Sequence, residues 1–270
     1  MSAFRAGLVS ELRKSTSTSL WWILAGGAFL YLAFMGAVMA FAVSVPVEEG
    51  GMGGEGMDPL ALVQTIYSLP TAMGYVFPLV FGALSITGEF RHRTLTSSLV
   101  ADPSRTRLIV SKVLVQGGFG ALIGACSILG AVLAAALVFA ATDVDPFLGS
   151  PEVWTTLGLS VLALALWGMV GVGFGALVPN QVASIVMILA FTQLLEPILR
   201  LALGAMGDAT AQVSLYFPGA AAEALVGSSI YTAIGASELL SRWAGGLVLL
   251  AYAVLFALVG RFTTLRRDLT

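Results

Sequence analysis

The side chains able to do chemistry in this sequence are few, and their spacing excludes most reactions. One histidine, His92, and one cysteine, Cys126, are present. Neither a paired-histidine metal motif nor a CxxC metal or redox site can be assembled from them. The two lysines, Lys14 and Lys112, are not preceded by glycine, so there is no phosphate loop of the GxxxxGK type. If nucleotide hydrolysis powers this protein, another chain performs it.

The informative ionisable groups lie in or beside apolar stretches, where such residues are functional candidates. Glu196 and Arg200 stand at i and i+4, on one helix face. Counted from Val182 they lie roughly 21 Å and 27 Å into their stretch, near one surface. An ion pair at the rim is the plain reading; gating, or contact with a polar group of a transported molecule, is the functional one. Gln64, Ser68, Thr71 and Tyr75, with Thr65, Pro70 and Pro78, make a second stretch too polar for a purely lipid-facing helix. They are candidates to line a path together with Glu196 and Arg200. The competing reading is that their hydroxyls bond their own backbone or a neighbouring helix.

A third group is the run from Gly88 to Arg105. Glu89, Arg91, His92, Arg93 and Thr94 open it, and Asp102, Pro103, Ser104 and Arg105 close it. The segment 94–100 can form two helical turns, with Leu95 and Leu99 on one face and Thr94 and Ser98 on another. They end at the Asp102–Pro103 step, where the residue before proline resists helix.

These groups need elements to hold them. Hydrophobic residues make up 58% of the 270 residues and charged ones 10%. A soluble domain carries about 25% charged residues, so this chain lacks the polar surface to cover its own core. The class expected is an all-α integral membrane protein. A bilayer core takes roughly 20 helical residues to cross, and that ruler gives six spans near 20–45, 61–87, 113–141, 153–178, 182–203 and 243–263. The first span is too long for a signal-peptide core of roughly 7–15 residues and reads as uncleaved.

Eleven of the thirteen Lys and Arg residues fall before span one, between spans two and three, or after span six; only Arg200 and Arg242 do not. The opposite loops hold Glu48, Glu49, Glu55, Asp58, Asp143, Asp145 and Glu152. The positive-inside rule then puts both termini in the cytoplasm of a plasma-membrane protein. Residues 1–18 place Phe4, Leu8 and Leu12 on one stripe, as in a short helix lying along the cytoplasmic interface. The segment 208–238 is too interrupted to cross and is broken at Tyr216–Gly219, which suits two re-entrant half-helices as well as a plain loop. Gly120/Gly124 and Gly171/Gly175 match the spacing that lets helices approach closely, and packing within one chain is expected of them.

The Gly88–Arg105 run resembles the cytoplasmic loop of ABC-2 type transporter permeases. It carries that family's order of glycine-glutamate (Gly88-Glu89), basic residues and threonine (Arg91-His92-Arg93-Thr94), then Pro103-Ser104-Arg105 and Lys112. The interfacial first helix, the six spans and Pro218-Gly219-Ala220-Ala221 extend the likeness over nearly the whole chain. The resemblance implies one domain over 1–270, in which 88–112 forms a cytoplasmic coupling loop. It also implies a homodimer in the lipid bilayer, docked on a separate ATP-binding subunit that holds ATP and Mg. Glu89, Arg91, His92, Arg93, Thr94, Ser98 and Arg105 would form the coupling contact, with Glu89 pairing locally with an arginine. The chain itself would be no enzyme, hold no cofactor or metal and bind no nucleic acid. It would export a hydrophobic or amphipathic compound such as a drug, peptide antibiotic or lipid-like molecule. An ion-driven secondary transporter or a membrane-embedded enzyme are the alternatives. The high Arg, Ala, Gly and Val content hints at a GC-rich bacterial genome.

Overall fold

The computed structural model describes residues 3–45, 58–94, 104–233 and 238–263, and every regular element among them is a helix. In order they are α1 (Ala3–Thr16), α2 (Leu20–Ser44), α3 (Pro59–Arg91), α4 (Arg105–Ala141), α5 (Pro151–Leu177), α6 (Gln181–Ala205), α7 (Asp208–Ser214), α8 (Pro218–Val226), α9 (Ile230–Ala233) and α10 (Arg242–Thr263). Six of them, α2 to α6 and α10, are long and apolar enough to cross a membrane. Lipid offers a backbone no hydrogen-bond partners, so a chain of this composition closes its amides within helices.

Most ends fall within a few residues of the hydropathy estimate, but α4 does not. It begins at Arg105, well ahead of 113, with the Ser104 hydroxyl accepting the Arg107 N–H as a cap. Arg105, Arg107 and Lys112 are therefore helical, not parts of a loop. The helix of 37 residues spans about 55 Å, far more than the bilayer core needs. It can carry these charges because its first turns pack on α1. The short helix expected over 94–100 lies, apart from Thr94, outside the described residues, and so does Ser98.

α5 is the hub. It packs against α3, α4 and α10 along its length and touches α8, burying Trp167 among them. Close approach depends on glycines. A Cβ at Gly120 of α4 would stand 2.7 Å from the Leu164 carbonyl oxygen, and one at Gly175 of α5 would stand 2.6 Å from that of Ala83. Gly171 lies against the Leu79 carbonyl in the same way. Both close-approach pairs thus join helices of the same chain. α3, α4 and α5 are buried over half or more of their apolar length, whereas α2, α6 and α10 are buried over less than a third.

Two of the long helices contain a π turn, Pro70–Gly74 in α3 and Ala190–Leu195 in α6. Such turns often mark functional positions. The break expected near Tyr216 separates α7 from α8. α8 starts on Pro218, ends on Gly227 in the left-handed region (φ 81°), and is buried at every residue. Proline at the first position and glycine just past the end are the usual helix limits.

Candidate functional sites

The first site joins α1 to the end of α3 and the start of α4. Lys112 is 1% exposed. Its Nζ donates to Glu11 Oε2 at 2.6 Å, Glu89 Oε1 at 2.8 Å and the Ser85 carbonyl at 3.1 Å. Lys14 Nζ donates to the same two carboxylates, Glu11 Oε1 at 2.7 Å and Glu89 Oε1 at 2.8 Å. The four groups close a ring in which charges alternate and cancel. Burial alone would pull the Lys14 ammonium down, but its bonds to Glu11 and Glu89 outweigh that and raise it above its ordinary range. One turn on, Gln116 Nε2 donates to Ser15 Oγ at 2.9 Å. A cavity of 520 Å³ lies beside the ring, lined in part by Glu89, His92 and Thr94.

This ring corrects one expectation and shows how α1 is seated. Glu89 pairs with two lysines and not with an arginine, because Lys112 and Lys14 reach it from neighbouring helices. The buried residues of α1 are Glu11 and Ser15, and the same face brings Gly7 close to Ser111 of α4. Phe4 and Leu12 point outward at 39% and 49% exposure. An outward apolar edge is what a helix lying along the membrane interface would present, and the polar face is its seat on α4. Glu11 and Lys14 had no part in the sequence reading of this site. The usable signal was Glu11 and Ser15 at i and i+4, matched by Lys112 and Gln116 at i and i+4 in an otherwise apolar helix.

The loop residues take separate places around the ring. Arg91 donates to Gln181 Oε1 at 3.1 Å, bringing the end of α3 to the start of α6. His92 caps α3 with its backbone N–H. Arg93 then turns left-handed (φ 55°), and the Thr94 and Arg93 amides bond back to the Glu89 and Phe90 carbonyls. This is the two-bond helix stop that usually carries glycine at the left-handed position, so an arginine there is held under modest strain. Arg105 is the first residue of α4, away from this turn in sequence.

The second site lies in the other half of the bundle, where α3, α6, α8 and α9 meet. Glu196 and Arg200 are both buried, but their hydrogen bonds go elsewhere. Glu196 Oε1 accepts the backbone N–H groups of Gly219 at 2.7 Å and Ala220 at 3.2 Å. Arg200 Nη2 donates to Glu223 Oε2 at 2.7 Å, and Ser229 Oγ donates to the same oxygen. The Arg200 guanidinium also lies 3.9 Å from the centre of the Tyr231 ring. Both contacts span 23 residues of sequence, so the face of Glu196 and Arg200 runs in parallel register along that of Gly219 and Glu223. The ion-pair partner of Arg200 is therefore Glu223, a residue the sequence reading did not single out. No local spacing pattern in the sequence marks it.

Of the α3 candidates, only Tyr75 reaches the cavity of 180 Å³ at this site. Its hydroxyl donates to the Thr192 carbonyl at 2.9 Å, and its ring stacks on Trp167 with centroids 4.4 Å apart. Ser68 donates to the Thr65 carbonyl, and its oxygen lies 3.3 Å from Ser228 Oγ, tying α3 to the chain after α8. Gln64 and Thr71 do not line the cavity. The sequence matches no protein-family model and no curated protein.

Proposed function

We propose that the chain is the membrane-spanning subunit of an ATP-driven exporter, as the resemblance to ABC-2 type permeases implies. The supporting observation is the alternating ring of Glu11, Lys14, Glu89 and Lys112. It holds α1, the end of α3 and the start of α4 together, and the coupling segment is strung between those two helix ends. A push on that segment from a docked ATPase would move the helices as a unit, because shifting any one of them would strip a buried charge of its partner. On this reading the ring faces the cytoplasm, with both termini on that side. α8 is a re-entrant half-helix in the opposite half of the membrane, and a second copy completes the transporter.

Arg91, His92 and Arg93 sit at the base of the coupling segment and form the basic part of the ATPase contact. The test is co-purification in mild detergent with a soluble ATP-binding subunit, followed by ATPase assays. Replacing Arg91 and Arg93 with glutamate should abolish complex formation or lower ATPase stimulation severalfold. Unchanged assembly and activity in that double variant would remove the coupling role and with it the export reading.

A further inference from the structure

We infer that the second site is the polar half of a two-part pocket for an amphiphile bearing a protonated amine. Beside the polar cavity lies an apolar one of 430 Å³, walled by Leu79, Phe174, Phe191, Tyr252 and Phe256. Thr192 lines both cavities, and the stacked pair splits between them, Trp167 facing the apolar one and Tyr75 the polar one. The helix entry is shared too, with Pro218 on the apolar side and Gly219 on the polar side. The two spaces therefore adjoin along one wall. Together they fall within the roughly 300–1,000 Å³ of small-molecule pockets.

The sign of the head group follows from the hydrogen bonds. The charged residues lining the polar cavity are Glu196, Glu223 and Arg200, two carboxylates against one guanidinium. Arg200 already faces Glu223 and the Tyr231 ring, which leaves Glu196 as the acid in excess. Glu196 spends Oε1 on the α8 amides, while its Oε2 is buried in the site without a hydrogen-bond partner. A buried acceptor of this kind calls for a donor, and an ammonium supplies both the N–H and the charge that the cavity lacks. Tyr75 adds an aromatic face near the cation. The apolar cavity takes the tail.

That such a molecule is cargo rests on the export reading; that it binds does not. The test uses the purified chain in lipid nanodiscs with tritiated dodecylamine, competed by unlabelled dodecylamine or by dodecanol. The expected result is saturable binding displaced by the amine and not by the alcohol. Glu196→Gln keeps an oxygen for the Gly219 and Ala220 amides while losing the charge, and should weaken binding about tenfold or more. Met187 lines the apolar cavity and is half exposed, so Met187→Trp fills the tail region without disturbing the core and should also weaken binding. Dodecanol competing as well as the amine would overturn the proposal, and so would Met187→Trp or a folded Glu196→Gln binding like the parent. Loss of ATPase assembly with amine binding intact would sink the export reading alone. Assembly without amine binding would sink this one alone.

Discussion

The Tyr75 hydroxyl donates to the Thr192 carbonyl across 2.9 Å, linking the π turn of α3 to that of α6. The carbonyl is free for a local reason. Within the π register the Glu196 N–H bonds to the Phe191 carbonyl. The next donor in line for Thr192 would be residue 197, a proline with no N–H. Tyr75 takes the place of that missing amide.

Tyr75→Phe should therefore leave a buried carbonyl without a partner while keeping the stack on Trp167. A loss of about 1–3 kcal/mol is expected, read as a lower melting temperature in detergent. Tyr252→Phe is the comparison, since its hydroxyl bonds the Tyr216 carbonyl in an exposed setting. It should cost much less.

Lys112→Met should destabilise by about 3–5 kcal/mol, because it leaves a buried carboxylate pair short of a cation. Lys14→Met should cost well under that, its side chain being 41% exposed. Adding Glu11→Gln to Lys112→Met should recover part of the loss, so the two effects will not add. Thermal unfolding of the parent, Lys112→Met, Glu11→Gln and the double variant measures the coupling.

The Lys14 ammonium also sets a pH window. Its folded value lies above the ordinary 10.5. Its contribution is therefore complete below 10.5 and is lost as pH rises through the higher folded value. The melting difference between the parent and Lys14→Met should stay flat from about pH 6 to 9 and shrink only in stronger alkali. A difference that vanishes near neutrality would count against the ring.

Gly171→Ala should force α3 and α5 apart, since the added carbon meets the Leu79 backbone. Gly118→Ala meets nothing within 4 Å and should be neutral or stabilising by up to about 1 kcal/mol through helix propensity. Gly171→Ala should melt below the parent and Gly118→Ala at or above it.

Orientation can be read with a membrane-impermeant maleimide in a Cys126→Ser background. Arg93→Cys should label only after the cells are opened, and Gly149→Cys should label from outside. The reverse pattern would invert the assignment of the ring to the cytoplasmic side.

Hydropathy located all six long helices, because length and apolar content are what a bilayer selects. It failed at the start of α4 for the same reason. Arg105, Arg107 and Lys112 look like loop residues until Glu11 and Glu89 are known to neutralise Lys112. Helix periodicity put Glu196 and Arg200 on one face correctly, but their partners lie on α8, and no local pattern reports that Glu223 is the nearer acid. The apolar stripe of α1 was legible as a membrane-facing edge, but no local pattern showed that the opposite, polar face seats on α4 through Lys112. In a chain whose solvent is lipid, the outer face is the greasy one and a polar seam can be the inner.

The seat of α1 has a further consequence, for the order in which the protein is made. Glu11 and its partner Lys112 are separated by 101 residues. The first helix thus leaves the ribosome with Glu11 paired only to its neighbour Lys14, before the buried cation that completes the ring has been translated. It must wait, its greasy edge resting on the membrane, while two long helices are threaded into the bilayer. Only when the third arrives can the ring close.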